Sequence, residues 1–224
     1  MSERENIFIR IREALAVKAH AHHGNSLPTT EEHRRVMPAV GTTSDEQLAL
    51  FARNAGDLKA EFRPVKDIEQ LAAELAALRD AENWRRVATH QGTLAQARTA
   101  ALRLPTLVTD AGYDKHELEK CDAGISECDA LIAQTGTVLV TSRSAGGRAL
   151  SCLPPHHVII ARRSQMVADL PAAFALIREK HGEKYPSMIS LITGPSRTGD
   201  IERILVLGAH GPKRLTIFCV EDRL

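Results

Sequence analysis

Apolar residues recur at two different spacings along the chain, and the change from one to the other divides it. In ENIFIRIREALA the apolar positions Ile7, Ile11, Ala14 and Leu15 fall three or four apart with charged residues between them, which predicts an amphipathic helix. Leu48, Phe51, Ala52 and Ala55 repeat that spacing behind Ser44 and Gln47, a capping-box pair, with Gly56 as the expected stop. Ile68, Leu71, Ala72, Leu75 and Leu78 repeat it again behind Asp67 and Gln70. Between the first two helices, Gly24 to Thr43 carries Pro28, Pro38 and Gly41 without periodicity and reads as an irregular connector.

After Trp84 the rhythm changes. Short apolar runs alternate with helical stretches: RRVATH, TLAQARTAAL, PTLVTD, a charged helix from Lys115 to Cys121, DALIAQ, TVLVTS, HHVIIA, a helix from Asp169 to His181 with Pro171 in its first turn, MISLIT and RLTIFCV. Continuous apolar strands alternating with helices predict an α/β fold: an open, mostly parallel sheet with helices on both faces. The division that follows is a helical arm and connector over 1–56 and an α/β domain over 57–224.

Charge narrows the partners. With 29 basic and 28 acidic side chains there is no bulk attraction to nucleic acid. The longest uninterrupted apolar run is the six residues Ala172 to Ile177, far from the roughly 20 that insertion as a membrane helix needs. The first residues mix acidic and basic groups and lack the apolar block of a secretory signal, so a soluble, cytoplasmic chain is expected.

Cys121, Cys128, Cys152 and Cys219 form no C-x-x-C pair and read as buried thiols. His20, His22 and His23 close the first helix, where they complement its dipole, and no cysteine or carboxylate in that stretch completes a ligand set. Neither a metal nor a cofactor is expected.

Three loops have the composition of a ligand site at the carboxyl ends of parallel strands. Thr135, Gly136 and Thr137, after Gln134, make a turn that can cradle an anion and is equally ordinary hairpin chemistry. Ser142–Arg148 (SRSAGGR) offers two glycines with Arg143 and Arg148, whose guanidinium forks suit phosphate or carboxylate; it also fits a solvated surface loop. His156 and His157 follow on a strand, where their side chains point to opposite faces and at most one meets a pocket.

In the third loop Gly194, Ser196, Arg197 and Thr198, with Asp200 and Glu202 behind them, read as the start of a short helix whose amino end attracts anions; in the competing reading Arg197 pairs with Asp200 or Glu202 in a capped turn. G-x-x-x-x-G-K-[ST] and G-x-G-x-x-G are absent, so ATP or NAD binding has no motif. Glu127, Asp129 and Asp122 are acidic candidates, Glu127 being the carboxylate to test as a general acid or base, although acids bordering strands more often cap or solvate.

GISECDALIAQTGTVLVTSRSAGGRALSCLPPHHVIIA and ITGPSRTGDIERILVLGAHGP together resemble the LUD-domain family, in its lactate utilization protein C branch, over roughly the last 140 residues. The resemblance implies a fold like that of the sugar-phosphate isomerase and CoA-transferase (NagB/RpiA/CoA-transferase-like) superfamily. It further implies an accessory subunit in cytoplasmic oxidation of L-lactate to pyruvate, in which partner proteins carry the iron-sulfur clusters. Its signature falls on Thr135, Gly136, Thr137, Gly194, Pro195, Ser196, Arg197, Thr198, Asp200, Glu202, Gly208, His210, Gly211 and Pro212.

Gln134 stands where many relatives carry Glu, and Gly199 replaces the commoner Ala, so acid, base or nucleophile chemistry through position 134 is not expected. The two glycine-rich segments, with Ser196, Arg197, Thr198 and His210, are expected to face a small anionic metabolite. Two other functions fit the same residues: a stand-alone enzyme on a phosphorylated or CoA-linked molecule, and a ligand-sensing or structural module.

Overall fold

The structure, a computed structural model, describes residues 2–16, 38–198, 206–208 and 210–221. It divides into two compact units, Met1–Pro38 and Ala39–Leu224. In the first, α1 spans Glu3–Ala16 as the apolar spacing predicts, and Ile7, Phe8, Ile11 and Leu15 along it are exposed. The histidines at 20, 22 and 23 and most of the 24–43 connector lie outside the described residues.

In the second unit the chain runs through α2 (Ser44–Asp57), β1 (Glu61–Val65), α3 (Ile68–Ala81), β2 (Val87–Thr89), α4 (Thr93–Ala101), β3 (Thr106–Val108), α5 (Lys115–Glu119) and β4 (Ala123–Ser126). It continues through β5 (Ala130–Ile132), β6 (Thr137–Thr141), β7 (His156–Arg162), β8 (Met166–Val167), α6 (Leu170–His181), β9 (Ile189–Ile192), β10 (Arg197–Thr198), β11 (Val206–Leu207) and β12 (Arg214–Val220). Because α2 buries Phe51 and Ala55 in the core shared with β7 and β12, it belongs to the α/β unit, which begins before residue 57.

Six strands form a parallel sheet in the order β1-β12-β7-β4-β2-β3. Leu71, Leu75 and Leu78 of α3 and Ala95 of α4 pack on one face against Val87, Ile125, Val158, Ile160 and Phe218. Each such large apolar side chain, fully buried, contributes about 1.5–3 kcal/mol.

The opposite face carries α2 and, beside it, a second layer of strands. DALIAQ, TVLVTS and MISLIT do not extend the parallel sheet; they build a second, four-stranded sheet in the order β8-β5-β6-β9, in which β5 and β6 are an antiparallel hairpin. Leu131, Val138 and Val140 of that sheet join Phe51 and Ala55 of α2 against Ile159, Ile217 and Cys219. Ala173 and Ile177 of α6 then cover the far side of the second sheet at Ala130, Ile132 and Leu139. Apolar cover on both faces explains why the strands read as unbroken apolar runs.

The helix starts follow their caps. Thr43, one residue before the expected Ser44, closes a reciprocal capping box with Glu46: Thr43 Oγ1 accepts from the Glu46 amide at 3.2 Å and the Thr43 amide donates to Glu46 Oε2 at 3.0 Å. Gly56 falls inside α2, which ends one residue later. Asp67 accepts from the Gln70 amide at 2.7 Å, and Asp169 from the Ala172 amide at 2.9 Å with Pro171 in the first turn. Among the described residues no helix is long and apolar enough to cross a membrane.

Candidate functional site

The two glycine-rich segments meet. The Ser196 amide donates to the Pro212 carbonyl at 2.9 Å, and the Gly208 amide donates to the Ser196 carbonyl at 2.9 Å. Gly194, Pro195 and Ser196 on one side and His210, Gly211 and Pro212 on the other line one half-open cleft of about 230 Å³, completed by Ser151, Cys152, His157, Ser190, Thr193 and the apolar Leu191, Ile192 and Leu215.

This cleft sits where the sequence reading did not place it. His157 and Leu215 are the second residues of β7 and β12, so the cleft opens at the amino-terminal side of those parallel strands rather than at their carboxyl ends. At the carboxyl ends of β2, β3 and β4 the chain's own loops bond one another. Glu127, just past β4, accepts from the Leu94 amide at 2.7 Å and the Ala95 amide at 3.0 Å, capping α4. Asp110, past β3, accepts from the Gln91 amide at 2.7 Å, and Thr109 Oγ1 donates to the Gly146 carbonyl at 2.8 Å.

His156 and His157 point to opposite faces, as alternation on a strand requires. His156 packs edge-on against Trp84 with its Nε2 2.9 Å from Thr216 Oγ1. His157, on the cleft floor, has its Nε2 2.9 Å from Ser126 Oγ. In both imidazoles Nδ1 is buried without a partner. Burial disfavours the charged form, lowering His156 to about 4, helped by the Arg214 charge, and His157 to about 3.

The other anticipated residues scatter. Gly136, with φ +61°, lies so close to α2 that a Cβ there would stand 2.4 Å from the Ala55 nitrogen. Asn54 Nδ2 holds the same turn by donating to the carbonyls of Ala133 at 3.0 Å and Gln134 at 2.9 Å. Thr135 Oγ1 is buried without a partner, and Thr137 reaches the cleft only through its 2.8 Å hydrogen bond to Thr193. Arg143 and Arg148 turn away: Arg143 donates to the Lys184 carbonyl and contacts His181, while Arg148 donates to the Ser187 carbonyl.

Asp129 is buried and accepts from Ser144 and Lys180, tying α6 to the loop after β6, while Asp122 accepts from the Arg85 and Arg86 amides. Both acids are therefore structural.

Arg197 stays at the rim. It does not open a helix: Arg197–Thr198 is extended and pairs antiparallel with Val206–Leu207, so the anticipated helix amino terminus is absent at these residues. The exposed guanidinium reaches the Thr193 carbonyl at 3.5 Å, beside Gly194. Asp200, Glu202 and Gly199 lie outside the described residues.

Ser151, Cys152 and Ser190 had no signal of their own in the sequence. They reach the cleft from the loop before β7 and from β9, an approach only the two-sheet arrangement creates. Among the described residues no group of three or more His, Cys, Asp or Glu side chains is placed to hold a metal ion.

A model of the LUD domain matches residues 15–220. The chain belongs to the LUD-domain family. Over 110 residues it is 41% identical to lactate utilization protein C of Halalkalibacterium halodurans, covering 47% of this chain and 46% of that protein. It is 39% identical over 115 residues to lactate utilization protein C of Shouchella clausii, covering 51% of this chain and 50% of that protein. The matched stretch thus spans about half the length of these relatives. The crystal structure of a DUF162 family protein from Deinococcus radiodurans superposes with a TM-score of 0.63 at 24% identity, covering 80% of this chain and 99% of that one; the likeness is one of fold.

Proposed function

We propose that this LUD-domain chain is a component of cytoplasmic L-lactate utilization, acting beside iron-sulfur partner proteins as lactate is oxidised to pyruvate, and that its cleft binds a small anionic metabolite of that reaction. The name borne by the relatives supports the pathway. The convergence of Gly194–Ser196 with His210–Pro212 on one cleft carries the site.

A volume of about 230 Å³ falls below the 300–1,000 Å³ of pockets for drug-sized ligands and suits a three-carbon acid better than a CoA conjugate. Arg197 at the rim supplies the cation, and Ser196, Thr193 and Ser190 supply hydroxyls. The CoA-linked alternative loses its acid as well, since Glu127 is engaged with α4.

Thermal unfolding with L-lactate, pyruvate, a sugar phosphate and CoA tests this reading, with Arg197→Ala as the paired variant. A ligand at a hundred times its dissociation constant adds about 2.7 kcal/mol to folding. Stabilisation by lactate or pyruvate that weakens in the variant is expected. Stabilisation by CoA alone, or unchanged growth on lactate after deletion of the gene, would sink it.

A further inference from the structure

Beneath the cleft lies a buried polar pair. Ser126 and His157 are both buried, on adjacent parallel strands, with Ser126 Oγ 2.9 Å from His157 Nε2. The other ring nitrogen, Nδ1, has no partner, although a buried polar atom left unpaired costs about 1–3 kcal/mol.

Two proton arrangements are compatible with that contact. If Nε2–H donated to Ser126, the hydroxyl proton would be buried without an acceptor and the Nδ1 lone pair would also stand empty. If the hydroxyl donates to Nε2, the hydroxyl proton and the Nε2 lone pair satisfy each other and the ring proton sits on Nδ1. The second arrangement leaves one unmet group instead of two.

Resting on the reading of this cleft as a metabolite site, we propose that His157 Nδ1–H is a binding donor for a ligand oxygen, that Ser126 fixes its tautomer, and that the ligand class is a small monocarboxylate carrying a 2-oxo or 2-hydroxy oxygen. An ammonium group, which brings only donors, would leave Nδ1–H unpaired. The described residues lining the cleft include no lysine or arginine and Arg197 stands at its rim, an arrangement that favours a singly charged carboxylate over a phosphate dianion. His157 is held neutral by burial, so the donor persists throughout the physiological pH range.

Two-bond ¹H–¹⁵N correlation of the imidazoles in the full ¹⁵N-labelled chain tests this directly. His157 is expected as the Nδ1–H tautomer, its Nδ1 resonance is expected to move on addition of pyruvate, and Ser126→Ala is expected to release the Nδ1–H preference. His157→Phe, which keeps a ring but no donor, is expected to weaken pyruvate binding about tenfold, the effect of one hydrogen bond to a charged acceptor.

An Nε2–H tautomer in the wild-type chain overturns the proposal, and so does pyruvate binding that leaves Nδ1 unmoved; either result leaves the lactate reading standing. Binding of neither pyruvate nor L-lactate overturns both. Should the buried substitutions unfold the chain, the wild-type resonance alone decides.

Discussion

The Glu127 carboxylate accepts from the Leu94 amide at 2.7 Å, and the same oxygen takes the Ala95 amide at 3.0 Å. Residue 92, which occupies the N-cap of α4, is a glycine and has no side chain to offer, so an acid from the end of β4 caps that helix instead. Glu127→Ala is therefore expected to lower stability by about 1–2 kcal/mol, and Glu127→Gln by less, because an acceptor oxygen remains. Urea unfolding measures both. Pyruvate affinity should not change; a Gln variant with full stability and lost binding would restore Glu127 as a site residue.

Gly136 makes the same point for the Thr-Gly-Thr turn. A methyl group there must clear the backbone of Asn54 and Ala55 while the chain holds φ at +61°, so Gly136→Ala combines overpacking with backbone strain. A loss of about 2–4 kcal/mol is expected from these two effects together. Asn54→Ala, which strips two carbonyls of their donor, is expected to cost about 1–3 kcal/mol. A neutral Gly136→Ala in denaturant titration would free this turn from its structural role.

These particulars show what was legible beforehand. The runs in β7 and β12 stand out because both faces of those strands are covered, whereas β1 (EFRPV) and β4 (AGIS) escaped notice. Strand β1 lies at the sheet edge, only part-buried, and carries Glu61, Arg63 and Pro64, so it has no apolar run. Strand β4 is fully buried yet small, because a Cβ at Gly124 would meet the Leu150 carbonyl at 2.5 Å.

The second sheet was hidden for another reason. An apolar run declares a buried strand but not the sheet it joins. The glycine-rich segments were legible as loops of unusual composition; that they meet was not, since the meeting rests on a backbone hydrogen bond from Ser196 to Pro212.

The buried histidines set a pH dependence. His90, His156 and His157 all have pKa values pushed below the ordinary 6.5 by burial, His156 to about 4 and His157 to about 3. Between those values and 6.5 the unfolded chain binds more protons than the folded one, so stability rises with pH there. The contribution is complete above about pH 7 and is lost progressively as pH falls, on the order of 3 kcal/mol for His156 at 1.36 kcal/mol per pH unit.

The lowered carboxylates Glu61 and Glu117 withdraw their support only below their ordinary 4.5, so the interval from pH 7 to 4.5 reports the histidines. Unfolding free energies that stay flat across it would contradict the burial. His156→Gln is expected to reduce the slope.

Cys152 gives the cleft a chemical handle. It is the one exposed cysteine of the four and lines the cleft, while Cys121, Cys128 and Cys219 are buried. Burial also pushes the Cys121 and Cys128 thiols upward, which reduces their thiolate fraction and hence their reactivity. Iodoacetamide is thus expected to add one equivalent to the folded chain at Cys152, and Cys152→Ser should abolish that phase. Because Cys152 shares the cleft with Ser196 and His157, pyruvate bound there should slow the labelling, and Arg197→Ala should reduce the protection. Comparable labelling of all four cysteines in the folded chain would refute the burial pattern. Unprotected Cys152 under saturating pyruvate would place the bound acid somewhere other than this cleft.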